Sequence, residues 1–328
     1  MIEKNPRDNI QDVIKKVGKG KILFTPGEHD PVKLTGVNDI ELVGIGDDQS
    51  KITEGKEAAI FLTKCKGVII HLLDIGHTIG RAIRLADCED ITIVNNSLRN
   101  MQIDGILAAF CKNISIIGNF IYGSIQKVFE GKTPHCIYIS CSSENIRIEN
   151  NYGEFSTGSL VQCNGNNEEH SANGSPFTGW IKNATIVGNK GFNCCRSGAD
   201  LFNMERVMDS SYDRNQGIWT KGYVQKGKPQ SGGVAAYNGT HNVIVKDQLI
   251  WSPENCQFRH SIKVDVGSDL SLDGGVFFCQ NVYPNNLDQK SGKITYNKNN
   301  PTKFLRPEDA VAARALFKDP DKGDFTKI

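Results

Sequence analysis

Residues 59–70 (AIFLTKCKGVII), 82–93 (AIRLADCEDITI) and 105–116 (GILAAFCKNISI) are three versions of one pattern. The cysteine recurs at positions 65, 88 and 111, so the repeat has a period of 23 residues. Each copy contains two short runs of alternating apolar residues, and neither run is long enough for an amphipathic helix. A unit of this size buries its apolar face only by stacking on its neighbours. The pattern therefore predicts a solenoid of short strands, a parallel β-helix.

The repeat continues beyond these copies, although insertions lengthen it. Further copies are expected in residues 136–151, 160–189, 201–204 and 234–245. Insertions in a solenoid leave the stack at its corners as loops. We therefore predict two long loops, near residues 164–179 and 209–232. Long loops on a rigid scaffold are frequent sites of function.

Each end of the chain contains a predicted helix. Ile10, Val13, Ile14 and Val17 have helical spacing and precede Gly18, which predicts a short amphipathic helix that caps the open first coil. Pro307 begins a second, short helix near the C-terminus. The predicted organisation is an N-terminal capping segment at residues 1–20, a β-helix domain at residues 21–300, and a C-terminal helix and tail at residues 301–328.

The composition excludes several classes of partner. The net charge of +1 and the absence of a basic tract give no electrostatic footprint for nucleic acid. No apolar segment reaches transmembrane length, and the first residues lead into polar sequence without a signal peptide. We expect an extracellular or cell-surface location if a leader was removed, and a virion or the cytoplasm otherwise.

The chain contains ten cysteines, and the sequence pattern places four of them at the same point of successive copies. Cys65, Cys88, Cys111 and Cys141 each precede the second strand of a copy, which predicts a stack of buried thiols rather than disulfides. A zinc site is not expected, because the adjacent pair 194–195 has no second pair at ligand spacing. The thiol content favours a reducing compartment.

Three sequence features resemble a known superfamily. The motif Cys-x-(Asn/Asp/Gly)-(Ile/Val)-x-(Ile/Val), followed by the Asn pairs 95–96 or 150–151, is similar to pectate-lyase-like right-handed parallel β-helix proteins. Residues 135–140 (HCIYIS) and 316–325 (LFKDPDKGDF) resemble segments of bacterial β-helix repeat proteins. The resemblance covers almost the whole chain and implies an all-β, single-stranded right-handed parallel β-helix. It leaves the chemistry open, because the superfamily includes polysaccharide lyases, glycoside hydrolases, epimerases and phage tailspikes.

Aligning the copies predicts columns of side chains along the outside of the solenoid. Inward positions are occupied by Ile60, Ile83, Ile106, Ile137, Val161 and Phe202. The following residue faces outward, which gives a column of Phe61, Arg84, Leu107, Tyr138, Gln162 and Asn203. Two residues before the inward position lies a column of Ala58, Arg81, Asp104, His135, Ser159 and Asp200. Neighbouring coils are about 4.8 Å apart, so these columns would line one groove.

The groove has the residue types that a polysaccharide lyase needs. Elimination from a uronate requires a cation on the carboxylate, a base for the C5 proton and an acid for the leaving oxygen. We predict that Arg81 or Arg84 is the cation, His135 the base and Tyr138 the acid, with Asp104 in the same catalytic cluster. The predicted substrate contacts are Gln162, Asn203, Asp200, Trp180 and Trp219.

Other interpretations stay open. A glycoside hydrolase needs two carboxylates, and the available pair, Asp104 and Asp200, is three coils apart. A glycan-binding module or a viral or phage spike would use the groove without chemistry, and a purely structural solenoid would not use it. The expected partner is a polysaccharide or a cell-surface glycan, and the expected state is a monomer or a homotrimer. No cofactor or metal is required; Ca²⁺ held by Glu168, Glu169 and His170 is the alternative.

Overall fold

The computed structural model describes most of the chain. The described residues are 1–46, 49–53, 55–124, 133–167, 176–195, 199–219, 230–252, 258–279, 287–289, 292–305, 311, 314–319 and 324–327. They form three long parallel sheets, and the chain visits the three sheets in turn. Neighbouring strands in a sheet therefore come from successive coils. This is the parallel β-helix that the 23-residue repeat predicts.

The first sheet has twelve strands and the second has ten. The strands of the first sheet are Ile2–Lys4, Gly20–Phe24, Ile40–Val43, Ile69–His71, Glu89–Val94, Lys112–Ile117, Glu144–Glu149, Ile181–Val187, Val207–Asp213, His241–Lys246, Asp269–Asp273 and Lys293–Tyr296. The strands of the second sheet are Val32–Thr35, Ala58–Thr63, Arg81–Ala86, Ile106–Ala109, Ile137–Ser140, Val161–Asn164, Asp200–Glu205, Gln230–Tyr237, Phe258–Val264 and Leu287–Gln289.

The third sheet has eleven short strands. They are Gly27–His29, Ser50–Ile52, Asp74–Gly76, Ser97–Arg99, Phe120–Tyr122, Tyr152–Glu154, Lys190–Phe192, Gln216–Ile218, Leu249–Ser252, Val276–Cys279 and Lys303–Leu305. A helix at Ile10–Val17 and an antiparallel hairpin of strands Phe317–Asp319 and Asp324–Lys327 complete the described elements. No helix among the described residues is long and apolar enough to cross a membrane.

The second sheet has the predicted register. Ile83 pairs with Ile60 and Ile106, and the alignment continues through Ile137 and Val161 to Phe202. These side chains are fully buried in the main core. The residue before each of them is also buried there, as for Ala59, Ala82, Cys136, Leu160 and Leu201. Because two consecutive positions point into the core, the strand bends at its start. The residues before the bend are mostly polar but largely buried, as for Asp104, His135 and Asp200.

A ladder of buried asparagine side chains stabilises the turn between the first and third sheets. It consists of Asn96, Asn119, Asn151, Asn189 and Asn215. The backbone N–H of each of the first four donates to the Oδ1 of the next at 2.9–3.0 Å. The preceding residues Asn95 and Asn150 have φ near +54°, a conformation that asparagine tolerates. The Asn pairs in the sequence are therefore turn residues, as predicted.

The cysteine stack extends over three coils, not four. Cys65, Cys88 and Cys111 are buried, and each Sγ contacts the carbonyl two residues before it. The prediction for Cys141 is wrong, because Ala109 pairs with Ser140 and Cys141 is therefore in register with Phe110. One additional residue follows in this turn, since Lys112 pairs with Glu144. Ser143 takes the fourth place and its Oγ accepts from the N–H of Cys111 at 3.0 Å. None of the eight cysteines whose side chains the structure describes forms a disulfide.

The N-terminal helix is a cap, as predicted. The side chain of Asn9 accepts from the N–H of Gln11, and Gly18 ends the helix with φ of 65°. Val13 is buried in the core, with Ile10, Ile14 and Val17 packed around it. The segment 1–20 also contributes a strand, Ile2–Lys4, which pairs with Ile22–Phe24 and so belongs to the solenoid.

Two further predictions concern regions where insertions disturb the repeat. The long loop predicted at residues 209–232 is wrong at both of its ends, because strands Val207–Asp213, Gln216–Ile218 and Gln230–Tyr237 form there; residues 220–229 lie outside the described residues. Polar residues hide this coil in the sequence: Ser210 is buried at a core-facing position and accepts from the N–H of Ala184. Most of the helix predicted from Pro307 lies outside the described residues; within them, the N–H of Ala315 donates to the carbonyl of Val311 at 3.0 Å.

Candidate functional site

One polar column runs along the outer side of the second sheet, before the bend. Backbone hydrogen bonds align its members on successive coils, and Asp200 is in register with Gly232 and then His260. In order along the solenoid the column contains Arg81, Asp104, His135, Ser159, Asp200, Gly232 and His260. The column therefore extends two coils beyond the last member that the sequence alignment assigns.

The first half of the column joins four predicted catalytic residues, which we call the Asp104 cluster. Its members are Arg81, Asp104, His135 and Tyr138. The Nε of Arg81 donates to Oδ2 of Asp104 at 3.0 Å, and the backbone N–H of His135 donates to Oδ1 at 2.9 Å. The rings of His135 and Tyr138 are 5.3 Å apart. Asp104, His135 and Tyr138 are buried, with at most 9% of each exposed.

The hydrogen bonds of His135 decide what this side chain can do. Its Nδ1 accepts from the backbone N–H of Ser159 at 2.9 Å. Burial lowers the pKa of His135 to about 4, against an opposing effect of Asp104. The ring is therefore neutral near pH 7, with its proton on Nε2 and its lone pair in the Ser159 contact. His135 can donate a hydrogen bond to a ligand, but the predicted role of base does not fit this geometry.

Tyr138 is a hydrogen-bonded phenol in the same cluster. Its hydroxyl accepts from Nδ2 of Asn167 at 2.7 Å, which places the start of the long loop after residue 164 against the column. Burial raises the pKa of Tyr138 to about 12. The phenol therefore keeps its proton near pH 7, as the predicted acid must.

Arg84 lies next to this cluster but makes separate contacts. Its guanidinium forms an ion pair with Glu57 and lies 4.7 Å from the ring centre of Phe61. Burial lowers the pKa of Arg84, and Glu57 opposes this effect. The side chain of Arg84 thus contacts the preceding coil, whereas Tyr138 lies two coils further along the solenoid.

The second half of the column belongs to another cluster of polar side chains. We call it the Asp200 cluster; its members are Asp200, Tyr237, His260 and Lys263. Oδ1 of Asp200 is 2.9 Å from Nε2 of His260, and Oδ2 accepts from the hydroxyl of Tyr237 at 2.9 Å. Nζ of Lys263 lies 4.5 Å from the ring centre of Tyr237. Asp200 and His260 are buried, whereas Tyr237 and Lys263 are half-buried.

A glycine makes the contact between Asp200 and His260 possible. These residues are two coils apart, and Gly232 occupies the coil between them. A Cβ atom at Gly232 would lie 2.6 Å from Cδ2 and 2.8 Å from Nε2 of His260. Because Gly232 has no side chain, the imidazole crosses this coil and reaches the carboxylate.

The geometry gives His260 a chemical role that His135 lacks. A carboxylate accepts hydrogen bonds, so Nε2 of His260 donates to Asp200. In the neutral ring this arrangement leaves the lone pair on Nδ1. An imidazole oriented by a carboxylate, with a phenol and an ammonium group beside it, can remove a proton and stabilise a developing anion.

The predicted substrate contacts have different outcomes. Gln162 and Asn203 are half-buried and lie in register with Tyr138 on the outer face, and Asp200 belongs to its own cluster. Trp180 is half-buried beside His241 and Arg206, at the start of a strand of the first sheet. The prediction for Trp219 is wrong. Its ring is 1% exposed, and Nε1 donates to the carbonyl of Cys194 at 2.8 Å, so it packs in the core.

The sequence pattern did not predict Tyr237, His260 or Lys263 as site residues. Lys263 continues the column of Tyr138, Gln162 and Asn203 through Ala235, and His260 continues the polar column through Gly232. The strand at residues 258–264 is the sequence feature that would have indicated them. It was not aligned with the earlier copies, because residues 246–257 separate it from the coil at 234–245.

The described residues contain no group of three or more His, Cys, Asp or Glu side chains placed to hold a metal ion. Glu168, Glu169 and His170, the alternative calcium ligands, lie outside the described residues. The binding of calcium by this loop stays a prediction.

Comparisons with known proteins agree with the architecture. A family model described as a right handed beta helix region matches residues 44–153. No curated protein matches the chain by sequence. An alginate lyase from Paenibacillus sp. str. FPU-7 has a similar structure, with a TM-score of 0.65 and 12% identity over 89% of this chain and 98% of the lyase.

Two other solved structures have lower similarity. ORF18 of Geobacillus virus E2 has a TM-score of 0.61 and 13% identity over 93% of this chain, which spans 62% of the viral protein. The catalytic domain of a GH87 α-1,3-glucanase in complex with nigerose has a TM-score of 0.55 and 11% identity over 93% of this chain and 67% of that domain. At such identities the similarity establishes the fold alone. The protein is a right-handed parallel β-helix.

Proposed function

We propose that this protein is a polysaccharide lyase that cleaves an acidic, uronate-containing glycan by β-elimination on the outer side of the second sheet. The glycan lies along the polar column, and the reaction takes place at the Asp200 cluster. The observation that carries the proposal is the contact of His260 with Asp200 at 2.9 Å, made through the gap at Gly232.

The residues of the Asp200 cluster supply the three groups that elimination requires. Nδ1 of His260 takes the C5 proton, and the electron pair of that bond forms the C4–C5 double bond. The C4–O bond breaks, and the hydroxyl of Tyr237 protonates the leaving oxygen. The ammonium group of Lys263 neutralises the uronate carboxylate and stabilises the charge that develops on it. Asp200 orients His260 and stabilises its protonated form.

The Asp104 cluster then binds substrate rather than reacting with it. The neutral Nε2–H of His135, the guanidinium of Arg81 and the protonated phenol of Tyr138 are hydrogen-bond donors, which suits carboxylates and hydroxyls. Four coil spacings separate His135 from His260 along the column. At about 4.8 Å per coil the two imidazoles are roughly 19 Å apart, so a single sugar cannot contact both of them. This separation favours a polymeric substrate.

The register gives less support to a glycoside hydrolase. Hydrolysis uses two carboxylates at roughly 5–9.5 Å. Asp104 and Asp200 are three coils apart, which corresponds to roughly 14 Å. The similar structures include both an alginate lyase and a glucanase catalytic domain, so carbohydrate as the substrate class has more support than either reaction.

A second candidate function is glycan binding without chemistry, as in an adhesin or a phage spike. The observation that favours it is a row of half-buried aromatic side chains on the third sheet. The rings of Phe120 and Tyr152 are stacked 5.5 Å apart, with Tyr122 and Phe155 beside them. Exposed aromatic faces can stack on sugar rings. Either function places the protein outside a cell or on a virion, where polysaccharides occur.

The test is turnover of uronate polysaccharides. We expect the full chain to produce the ultraviolet absorbance of an unsaturated uronate with at least one member of a panel of acidic glycans. His260→Asn should lower kcat by about 100-fold or more, because it removes the base. His135→Asn serves as the matched control, since it removes an equivalent imidazole from the other cluster, and we expect it to raise KM more than it lowers kcat.

Three results would change the assignment. Detectable binding with no absorbance rise on any glycan would select the second candidate function. Full turnover by the His260→Asn variant would exclude the Asp200 cluster as the reacting site. Loss of kcat in His135→Asn alone would return the chemistry to the Asp104 cluster.

A further inference from the structure

A cavity of about 630 Å³ lies on the third sheet, at the C-terminal end of the solenoid and away from the polar column. The first residues of four successive strands line it, because Gln216, Leu249, Val276 and Lys303 are in register. Residues 315–317 of the C-terminal segment form its opposite wall. Its volume is in the range of sites for small molecules, which is roughly 300–1,000 Å³.

One wall of the cavity is apolar. Leu249, Val276, Leu316 and Phe317 line it. The same residues belong to a second hydrophobic cluster, outside the main core, that is built around Trp251 and Phe278. The apolar part of the lining is therefore fixed by packing, and it can contact the C–H face of a sugar ring.

A buried amide in the lining has an unused acceptor. Gln248 is 1% exposed, and its Nε2 donates to the carbonyls of Tyr212 and Lys246, both at 2.7 Å. These two bonds fix the orientation of the amide, and Oε1 has no hydrogen-bond partner among the described residues. Gln248 stands where the asparagine ladder would continue after Asn215. Because this oxygen is shielded from solvent, the amide fixes the floor of the cavity and leaves ligand contacts to the exposed polar side chains.

Charged and polar side chains form the rest of the cavity lining. Arg214 and Lys303 both line the cavity and are exposed. Asp247 and Asn300 lie between them, with Nδ2 of Asn300 donating to Oδ1 of Asp247 at 3.3 Å. Arg214 also pairs with Asp213 at 3.0 Å. Two cations beside a carboxylate and an amide can hold a ligand that carries both a carboxylate and hydroxyl groups.

We propose that this cavity binds a small acidic sugar, a uronic acid or the end of an acidic oligosaccharide, as a second site that is separate from the polar column. The carboxylate of the ligand pairs with Arg214 and Lys303, and its hydroxyl groups contact Asp247 and Asn300. The apolar face of the ring packs on Leu316 and Phe317. The proposal does not depend on lyase activity, because the site lies on a different sheet from the Asp200 cluster.

The test is an NMR titration of the full chain, labelled at its Leu and Val methyl groups, with glucuronate. We expect saturable shifts at Leu249, Val276 and Leu316. Arg214→Gln and Lys303→Gln should each weaken binding roughly tenfold, as expected for loss of one charge-assisted hydrogen bond. The matched control is Lys298→Gln, an exposed lysine outside the cavity lining, which should leave the affinity unchanged.

Two comparison ligands test the ligand class. Glucose lacks the carboxylate and acetate lacks the ring, so both should bind at least tenfold more weakly than glucuronate. Equal binding of acetate would make this an anion site and overturn the sugar assignment. Absence of saturable shifts, or an unchanged affinity in both cation variants, would overturn the site.

The proposals for the cavity and for the Asp200 cluster can be tested separately. His260→Asn should keep glucuronate binding at the cavity, and Arg214→Gln should keep turnover. If His260→Asn abolished the methyl shifts at Leu249 and Leu316, the observed binding would belong to the polar column instead.

Discussion

At the scale of single residues, the protein contains two imidazoles in one column with opposite hydrogen bonding. Nδ1 of His135 accepts from the backbone of Ser159, whereas Nε2 of His260 faces the carboxylate of Asp200. The column position alone does not distinguish these cases. The difference comes from the partner: His135 meets a backbone N–H of the next coil, whereas His260 meets a carboxylate two coils away.

The buried His135 predicts a pH dependence of stability. Burial lowers its pKa from 6.5 to about 4, so between these values the unfolded chain binds a proton that the folded protein does not. The contribution of His135 to the free energy of unfolding is therefore fully present above pH 6.5 and is lost as the pH drops toward 4. Its total contribution is about 3 kcal/mol, from 1.36 kcal/mol per pKa unit.

Urea unfolding at pH 7 and pH 4.5 measures this effect. The His135→Gln variant should lose less stability between the two pH values than the parent protein. His77→Asn is the control, because His77 is exposed, and its pH dependence should equal that of the parent. An identical pH dependence in the parent and His135→Gln would contradict the assigned burial.

At the scale of elements, the asparagine ladder links successive coils more strongly than packing alone. Asn151 is 1% exposed; its Nδ2 donates to the carbonyls of Ile116 and Glu149, and its Oδ1 accepts from the N–H of Asn119. Replacement by alanine leaves several buried groups without partners. At roughly 1–3 kcal/mol for each unsatisfied group, Asn151→Ala should cost about 3 kcal/mol or more.

The exposed neighbour Asn150 provides the comparison. It has φ of 54°, so glycine fits its backbone, and Asn150→Gly should change the free energy of unfolding by less than about 1 kcal/mol. Chemical denaturation of both variants measures the difference. Equal losses in the two variants would show that turn conformation, rather than the buried amide, holds the coils together.

The elements also show what the sequence could and could not predict. The repeat from Cys65 to Cys111 predicted the strands, the inward column and the turn asparagines, because periodic burial leaves a periodic pattern. The coil at residues 207–218 was missed, since buried Ser210 interrupts the apolar alternation. The fourth cysteine was assigned to the wrong position, because the turn of its copy has an irregular length. Side-chain hydrogen bonds such as that of His135 leave no pattern in the sequence.

The catalytic assignment illustrates the same limit. The sequence brought Arg81, Asp104, His135 and Tyr138 together correctly, because all four follow from the register of adjacent coils. It did not find His260, which contacts Asp200 across an intervening coil. Contacts between adjacent coils follow from one repeat spacing, whereas contacts that skip a coil depend on a local gap such as Gly232.

At the scale of the whole molecule, each coil packs only on its neighbours, so the terminal coils need protection. The helix Ile10–Val17 protects the first coil by burying Val13 to 5% exposure. Val13→Asp places a charge in this interface and should detach the cap. We expect concentration-dependent association through the exposed edge, measured by size-exclusion chromatography with light scattering.

An exposed position on the same helix controls for helix stability. Lys16→Asp also introduces a carboxylate but leaves the buried face intact, so this variant should keep the elution volume of the parent. Association of both variants to the same extent would mean that the charge change, and not the loss of the cap, exposes the edge.

The gap at Gly232 has a consequence for how this protein can change over time. Solenoids grow or shrink by gain or loss of whole coils, and most junctions between coils tolerate such a change because only nearest neighbours interact. Between residues 200 and 260 this freedom is lost. An extra coil would carry the imidazole out of reach of its carboxylate, and a deleted coil would remove the empty space that it crosses. Any change in the number of coils in this stretch would therefore break the contact between Asp200 and His260.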